Sequence, residues 1–89
     1  MYITREQFAA ILYRCAAAMG FDVGSKADLG AFADSALVSD YAEEAVQWAV
    51  GRGIIEGVGD ALLDPRGNAT RAQLAVMITR FNKLANSIV

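Results

Sequence analysis

The sequence predicts an all-α fold, and three observations carry that prediction. Apolar residues recur at spacings of three and four over three separate stretches, the period of a helix with one buried face. Thr4, Ser39, Asp40 and Thr70 stand where those stretches begin, as helix-capping residues do, and Gly20 and Gly53 stand where two of them end. No stretch reads clearly as a strand.

The first helix is expected from Thr4 to about Met19. Phe8, Ile11, Leu12, Cys15, Ala18 and Met19 share one face, and Gly20 is the stop. Phe21 to Ala36 is a connector containing Gly24 and Gly30, with room for one helical turn between Ser25 and Leu29. Ser39 or Asp40 caps a second helix running to about Gly51, and Asp40-x-x-Glu43 resembles a capping box with aspartate in the Ser/Thr role. Its inner face takes Ala42, Ala45, Val46, Ala49 and Val50, with Tyr41 and Trp48 on the flank, and Gly53 closes it. Ile54-Ile55 suits an extended segment, and Gly57 to Gly67 is a loop dense in turn residues. The last helix is expected from Thr70 to about Asn86, with Leu74, Met77, Ile78, Phe81 and Ala85 inward. The first and third helices are expected to pack through Phe8, Ile11, Leu12, Leu74, Met77, Ile78 and Phe81.

Composition excludes several function classes. A chain of 89 residues holds one small domain, and although 55% of it is apolar, so short a chain buries a modest share of its surface. Partner chains or neighbouring segments are expected to cover the rest. A net charge of -2, with lysine and arginine not gathered in runs, argues against nucleic acid and against an anionic membrane surface. No apolar run reaches the roughly 18 residues of a membrane span. The single cysteine, Cys15, rules out an internal disulfide and sits on the expected apolar face, where it reads as a small buried hydrophobe. There is no histidine, Cys15 has no evident base, and no carboxylate pair stands out, so an enzyme is not expected. No cofactor is indicated. The loop holding Asp60 and Asp64 lacks the alternating ligands and terminal glutamate of a calcium loop, so no metal site is expected.

The chain carries an internal repeat. "ITREQFAAILYRC" at Ile3 to Cys15 returns as "NATRAQLAVMITRF" at Asn68 to Phe81. Thr4 and Thr70, Arg5 and Arg71, Gln7 and Gln73, Ala9 and Ala75, and Arg14 and Arg80 all align at a constant offset of 66 residues. One whole repeat and the tail of another are therefore present.

Thr-x-x-Gln has a physical meaning. The threonine hydroxyl accepts from the backbone N–H three residues on, and the glutamine reaches back to the threonine N–H. Other first-turn N–H groups stay free at the positive end of the helix dipole, where anions are favoured. An arginine directly after the threonine adds a forked donor suited to carboxylate or phosphate. Each Thr-Arg-x-Gln is thus a candidate anion site, and the plain alternative is a capped helix with a solvated arginine. Trp48, the only tryptophan, is either core or a ring on which a sugar stacks.

From Phe32 to Phe81 the chain resembles an S-layer homology domain. The matching pieces are "FAD" at Phe32 to Asp34, "SDYAEEAVQWAV" at Ser39 to Val50, "GIIEG" at Gly53 to Gly57, "LDP" at Leu63 to Pro65 and "TRAQLAVMITRF" at Thr70 to Phe81. No single piece is specific, but their order and spacing are. The resemblance divides the chain into residues 1–20, the C-terminal half of a preceding repeat, a connector at 21–31, and a complete repeat at 32–86. Gln7 and Gln73 stand where the family often has glutamate, and Tyr41 and Leu63 where tryptophan and phenylalanine are frequent.

The resemblance implies helix–loop–helix repeats packed as a bundle, usually three, with ligand grooves between repeats. It implies a non-catalytic module that anchors exported bacterial proteins to secondary cell-wall polysaccharide, an acidic glycan often bearing ketal-linked pyruvate. Carried over position by position, Thr70 and Arg71 contact ligand, and Thr4 and Arg5 do so in the partial repeat, where Arg5 matters less if no complete groove forms. Gly57 allows close backbone approach and Trp48 lines the groove. The expected location is the bacterial cell wall. Because the chain begins inside a repeat and shows no export signal, it is read as a fragment or the tail of a longer protein. A homo-oligomer, dimer or trimer, or packing with neighbouring repeats is expected to cover the apolar helix faces. A different class also fits: a helical module that associates with copies of itself or with missing neighbours and binds no sugar.

Overall fold

The computed structural model describes residues 2–24, 26–57 and 62–88, with residues 87 and 88 described by backbone only. Three α-helices, joined by 3-10 turns and loops, build an all-α domain: α1 (Arg5–Ala18), α2 (Glu43–Gly51) and α3 (Arg71–Ile88). Both Thr-x-x-Gln signals form their boxes. Gln7 N–H donates to Thr4 Oγ1 at 3.2 Å while Thr4 N–H donates to Gln7 Oε1 at 2.9 Å. The same pair at Thr70 and Gln73 measures 3.1 and 2.9 Å. Gly20 and Gly53 stand just past the ends of α1 and α2 with φ of 83° and 74°, a region open to glycine without cost.

The start of α2 differs from expectation. Asp40–Ala42 is a 3-10 turn, and neither Ser39 nor Asp40 caps with its side chain. The turn is tied instead to α1, where Glu6 Oε1 accepts from Ser39 N–H at 2.9 Å. In the connector the turn falls at Leu29–Ala31, where Asp28 accepts from Gly30 N–H, and a second lies at Ser35–Leu37. Ser25, from the turn expected at 25–29, lies outside the described residues, as do residues 58–61 of the Gly57–Gly67 loop, Asp60 included.

Core packing is organised by a ring. Trp48 is fully buried, edge-on to Tyr13 of α1 at 5.7 Å and to Phe81 of α3 at 6.4 Å between centroids. Alanines 9 and 16 of α1, Ala42 of the 3-10 turn, and alanines 45 and 49 of α2 share its core, so the two helices approach closely around a large side chain. This turns α1 by about one position from the expected face. Ala9, Leu12 and Ala16 face inward, whereas Ile11, Cys15 and Met19 are exposed. Close backbone packing runs between α1 and α2 rather than between α1 and α3. Helix α3 contributes Met77 and Phe81, with Leu84 packed alongside, while Ile78 stays exposed. Ile54 and Ile55 are both buried, and Ile54 N–H donates to Ala49 O at 2.8 Å.

Asp34 fastens the 62–67 loop. Its two carboxylate oxygens accept from Leu63 N–H and Asp64 N–H, both at 2.8 Å. Burial works against the charge, but the N–H groups of Leu63, Asp64 and Asp34 itself outweigh it and hold the carboxyl below its ordinary value.

Two consequences for stability can be measured. Trp48→Ala should cost about 3–5 kcal/mol by urea denaturation, the range for emptying an aromatic core site. Trp48→Phe should cost clearly less, because the indole Nε1 is buried with no hydrogen-bond partner among the described residues and its removal relieves that group. An equal loss in both would show that the indole N–H is satisfied. For Asp34, a depressed folded pKa gives stability that is present above the unfolded value near ~3.9 and lost as pH falls through the folded value. The stability gap between wild type and Asp34→Asn should therefore be full at neutral pH and close below about pH 4, as read from denaturation curves across that range.

Candidate functional site

The two copies of Thr-Arg-x-Gln begin their helices with the same capped turn and meet different surroundings. At α1, Ile3 and Thr4 run beside Asn68 and Ala69 in a single antiparallel bridge, with Ala69 N–H donating to Ile3 O at 2.8 Å. The loop before α3 then covers the start of α1. Arg5 N–H donates to Gly67 O at 3.1 Å and Glu6 N–H to Pro65 O at 2.9 Å. The first-turn amides that the sequence left free for an anion are thus satisfied by carbonyls of the chain itself.

The Arg5 side chain is held as well. Its Nη1 pairs with Asp64 Oδ2 at 3.0 Å and donates to Asp64 O at 3.3 Å, and its Nη2 donates to Gln73 Oε1 at 2.8 Å. The guanidinium side is 12% exposed and the carboxylate 54%. Asp64 has φ of 48°, the left-handed region that aspartate accepts more readily than most residues. Gly67 closes the arrangement: a Cβ there would collide with the Asp64 carboxylate and the Arg5 guanidinium. The start of α1 is in this way locked to the 62–67 loop and to α3.

At α3 the equivalent end is open. Thr70 and Arg71 are exposed, and neither the Arg71 side chain nor the Arg71 and Ala72 N–H groups have a hydrogen-bond partner among the described residues. The cap is formed, the dipole end is bare and the forked donor is unoccupied.

Between these ends lies a groove of about 490 Å³, lined by Arg5, Ile54 to Gly57, and Ala72, Gln73, Val76, Met77 and Arg80 of α3. It contains two of the residues expected at a ligand site, Arg5 and Gly57. Arg5 therefore lines a formed groove, so the condition under which it would matter less, the lack of any groove, is not what the structure has. Gly57 is needed by packing within the chain: a Cβ there would stand 3.1 Å from both Leu62 O and Phe32 Cε1. Thr4, through its bridge and its cap, belongs to the junction. Trp48 is not in the groove; it is 0% exposed between α1 and α3, so no sugar ring reaches its face.

Sequence reasoning missed Asp64, Gln73 as an arginine acceptor, Glu56 and Arg80. Arg80 Nη1 donates to Ile54 O and its Nη2 pairs with Glu56 Oε1, each at 3.5 Å. Its recurrence as Arg14 at the repeat offset is the signal that could have found it. Among the described residues no cluster of histidine, cysteine, aspartate or glutamate is placed to hold a metal ion, and no helix is long and apolar enough to cross a membrane.

A family model for the S-layer homology domain matches residues 31–75. The chain is 34% identical over 77 residues to an endoglucanase of Bacillus sp. (strain KSM-635), covering 86% of this chain and 8% of that protein. It is also 34% identical over 76 residues to an amylopullulanase of Thermoanaerobacterium thermosulfurigenes, covering 85% of this chain and 4% of that protein. The chain thus spans a small fraction of the length of either relative. No solved structure matches it.

The junction makes a measurable claim. In a double-mutant cycle of Arg5→Ala and Asp64→Ala, the coupling should be about 1 kcal/mol, limited by the exposure of the carboxylate. Gly67→Ala should lose at least as much stability as Arg5→Ala alone, because it displaces both partners. A coupling indistinguishable from zero would make Arg5 a solvated side chain.

Proposed function

The chain belongs to the S-layer homology domain family, non-catalytic modules that anchor proteins at the cell surface, and from that premise we propose that it holds a longer protein on an acidic, pyruvylated secondary cell-wall polysaccharide. The contact is made by Thr70 and Arg71 at the open start of α3. One observation carries this. The chain contains the same motif twice, and where it is occupied, at Arg5, the acceptors are a carboxylate, three backbone carbonyls and the Gln73 side-chain oxygen. The second copy presents the same donors with nothing on them. A pyruvate ketal supplies a carboxylate of that kind, and the groove bounded by Arg5 and Gly57 ends at Ala72 and Gln73, the first turn of α3, where adjoining sugars can lie. Thr4 supports the junction from behind, and Trp48 has no part in the contact.

The occupied copy also favours a second function. At Arg5 the motif joins one repeat to the next. In this second reading the module's role is repeat-to-repeat packing alone, and Arg71 receives an aspartate of a neighbouring repeat or of a second copy. Self-association as a dimer or trimer is compatible with either reading. Exposed Tyr2, Ile11, Tyr41, Val76 and Ile78 supply apolar surface for it.

Calorimetry with one defined glycan, pyruvylated and depyruvylated, separates the two. Arg71→Ala should weaken binding to the pyruvylated form roughly tenfold to a hundredfold, the worth of a charge-assisted hydrogen bond of about 1.5–3 kcal/mol. Helix content should stay unchanged. Arg71→Lys should recover part of the affinity, since an ammonium cannot make the forked contact. Thr70→Ala should lower binding and also stability by about 1 kcal/mol, through the lost cap. Equal binding by wild type and Arg71→Ala would reduce the motif to a helix cap. Sedimentation that shows a monomer at every concentration would remove self-association.

A further inference from the structure

We propose that Glu56 is a competing carboxylate built into the groove: it holds Arg80 in the free protein and yields it to an acidic group of the bound glycan, so that Arg80 is a second anion contact beyond Arg71. The proposal rests on the glycan-binding function put forward above and adds to it the residue that sets how strongly charge is selected.

Three charged side chains line the groove, Arg5, Arg80 and Glu56. Both cations are already answered by carboxylates, Arg5 by Asp64 and Arg80 by Glu56. The groove itself therefore presents no unmatched positive charge. An acidic glycan that leaves the first turn of α3 and follows the groove meets Arg80 about two turns beyond Gln73, roughly 10 Å along the helix. The two ion pairs differ in what it takes to open them. The Arg5 side chain is 12% exposed and held through both ends of its fork, at 3.0 and 2.8 Å, and Asp34 fixes the backbone of its partner Asp64. Arg80 Nη2 stands 3.5 Å from Glu56 Oε1, and the two side chains are 36% and 70% exposed. A tight charge-assisted bond measures about 2.7–2.9 Å. An exposed pair at the longer distance is held weakly.

The backbone decides which partner moves. Ile55 is buried before Glu56, and Gly57 after it is pressed against Leu62 O and Phe32, where a Cβ would stand 3.1 Å from each. The main chain is thus fixed on both sides of Glu56, and only its side chain can swing out to solvent. Arg80 remains, because its Nη1 also donates to Ile54 O at 3.5 Å. The exchange therefore removes the anion and leaves the cation in the groove, which is what an incoming carboxylate needs. A neutral sugar gains nothing from it and leaves the pair closed.

The test is calorimetry at about 0.15 M salt, where exposed charges more than about 8 Å apart are largely screened. The probes are a pyruvylated wall oligosaccharide and its carboxyl-reduced form. Glu56→Gln should tighten the pyruvylated probe about twofold to fivefold, the worth of one exposed ion pair, and leave the reduced probe unchanged. In an Arg80→Gln background, which keeps an amide donor for Ile54 O, that gain should vanish, because no cation is left to contest. An equal gain in that background, an equal gain for the reduced probe, or no gain at all would overturn the proposal. The Arg71→Ala variant separates this outcome from the function on which it rests. If Arg71→Ala binds as wild type does while Glu56→Gln still tightens the acidic probe, the Arg71 contact falls and the exchange at Arg80 stands. If Arg71→Ala weakens binding and Glu56→Gln has no effect, the exchange falls and Arg71 stands. No binding by wild type and Glu56→Gln alike would overturn both. Circular dichroism checks that each variant keeps its helices.

Discussion

The arrangement depends on one constraint: the start of α1 must be filled by the loop that precedes α3. A helix begins with N–H groups that have no partner within it, and burying such an end without acceptors is costly. Here Pro65 and Gly67 supply the carbonyls and Asp64 supplies a charge for Arg5. The loop can do this only because Asp34 holds Leu63 and Asp64 by their amides and because Gly67 leaves room beside the guanidinium. Asp34, Asp64, Gly67 and Arg5 are one unit spread across the chain, and α1 is fastened through it to the loop before α3.

The position of α1 then fixes the core. With its start pinned, α1 lies along α2 at alanine-rich surfaces and delivers Tyr13 onto Trp48, which in turn meets Phe81 of α3. The indole N–H is left without a partner among the described residues. An unpaired buried donor costs about 1–3 kcal/mol, and the area and edge-on contacts of the ring outweigh it. Trp48 is therefore the joint of three helices. A tryptophan in that position has no face left for a sugar, which is why composition and spacing point two ways at this residue and burial decides between them.

The sequence makes legible whatever acts over a few residues. The two capping boxes reach three positions and can be read from Thr4, Gln7, Thr70 and Gln73 alone. Helix ends at Gly20 and Gly53 are legible for the same reason. The start of α2 is not: Asp40–Ala42 forms a 3-10 turn, and the bond that ties its start down, Ser39 N–H to Glu6, reaches a residue 33 positions away. The inward face of α1 is misplaced by one position, since Phe8, Ile11 and Cys15 are more apolar than Ala9 and Ala16, and only close packing on α2 shows that small residues are required inside. The Arg5–Asp64 pair joins residues 59 positions apart and leaves no local trace. Of the site itself, Arg5 and Gly57 are legible and lie together in the groove, while Arg80 stands in the repeat alignment without a role until Ile54 and Glu56 are seen beside it.

One motif therefore has two states within a single chain. At Arg5 the capped helix end is closed by carbonyls and a carboxylate from the loop before α3; at Arg71 the same donors are exposed. Local sequence cannot produce that difference, because the two stretches form the same box with nearly the same distances. The difference lies in the segment that packs against each helix end. At Arg5 the guanidinium divides its donors, Nη1 on the Asp64 carboxylate and Nη2 on Gln73 Oε1, beside two amides held by carbonyls. The donors are thus set by the helix end, and what meets them at Arg5 is set by the loop that packs there.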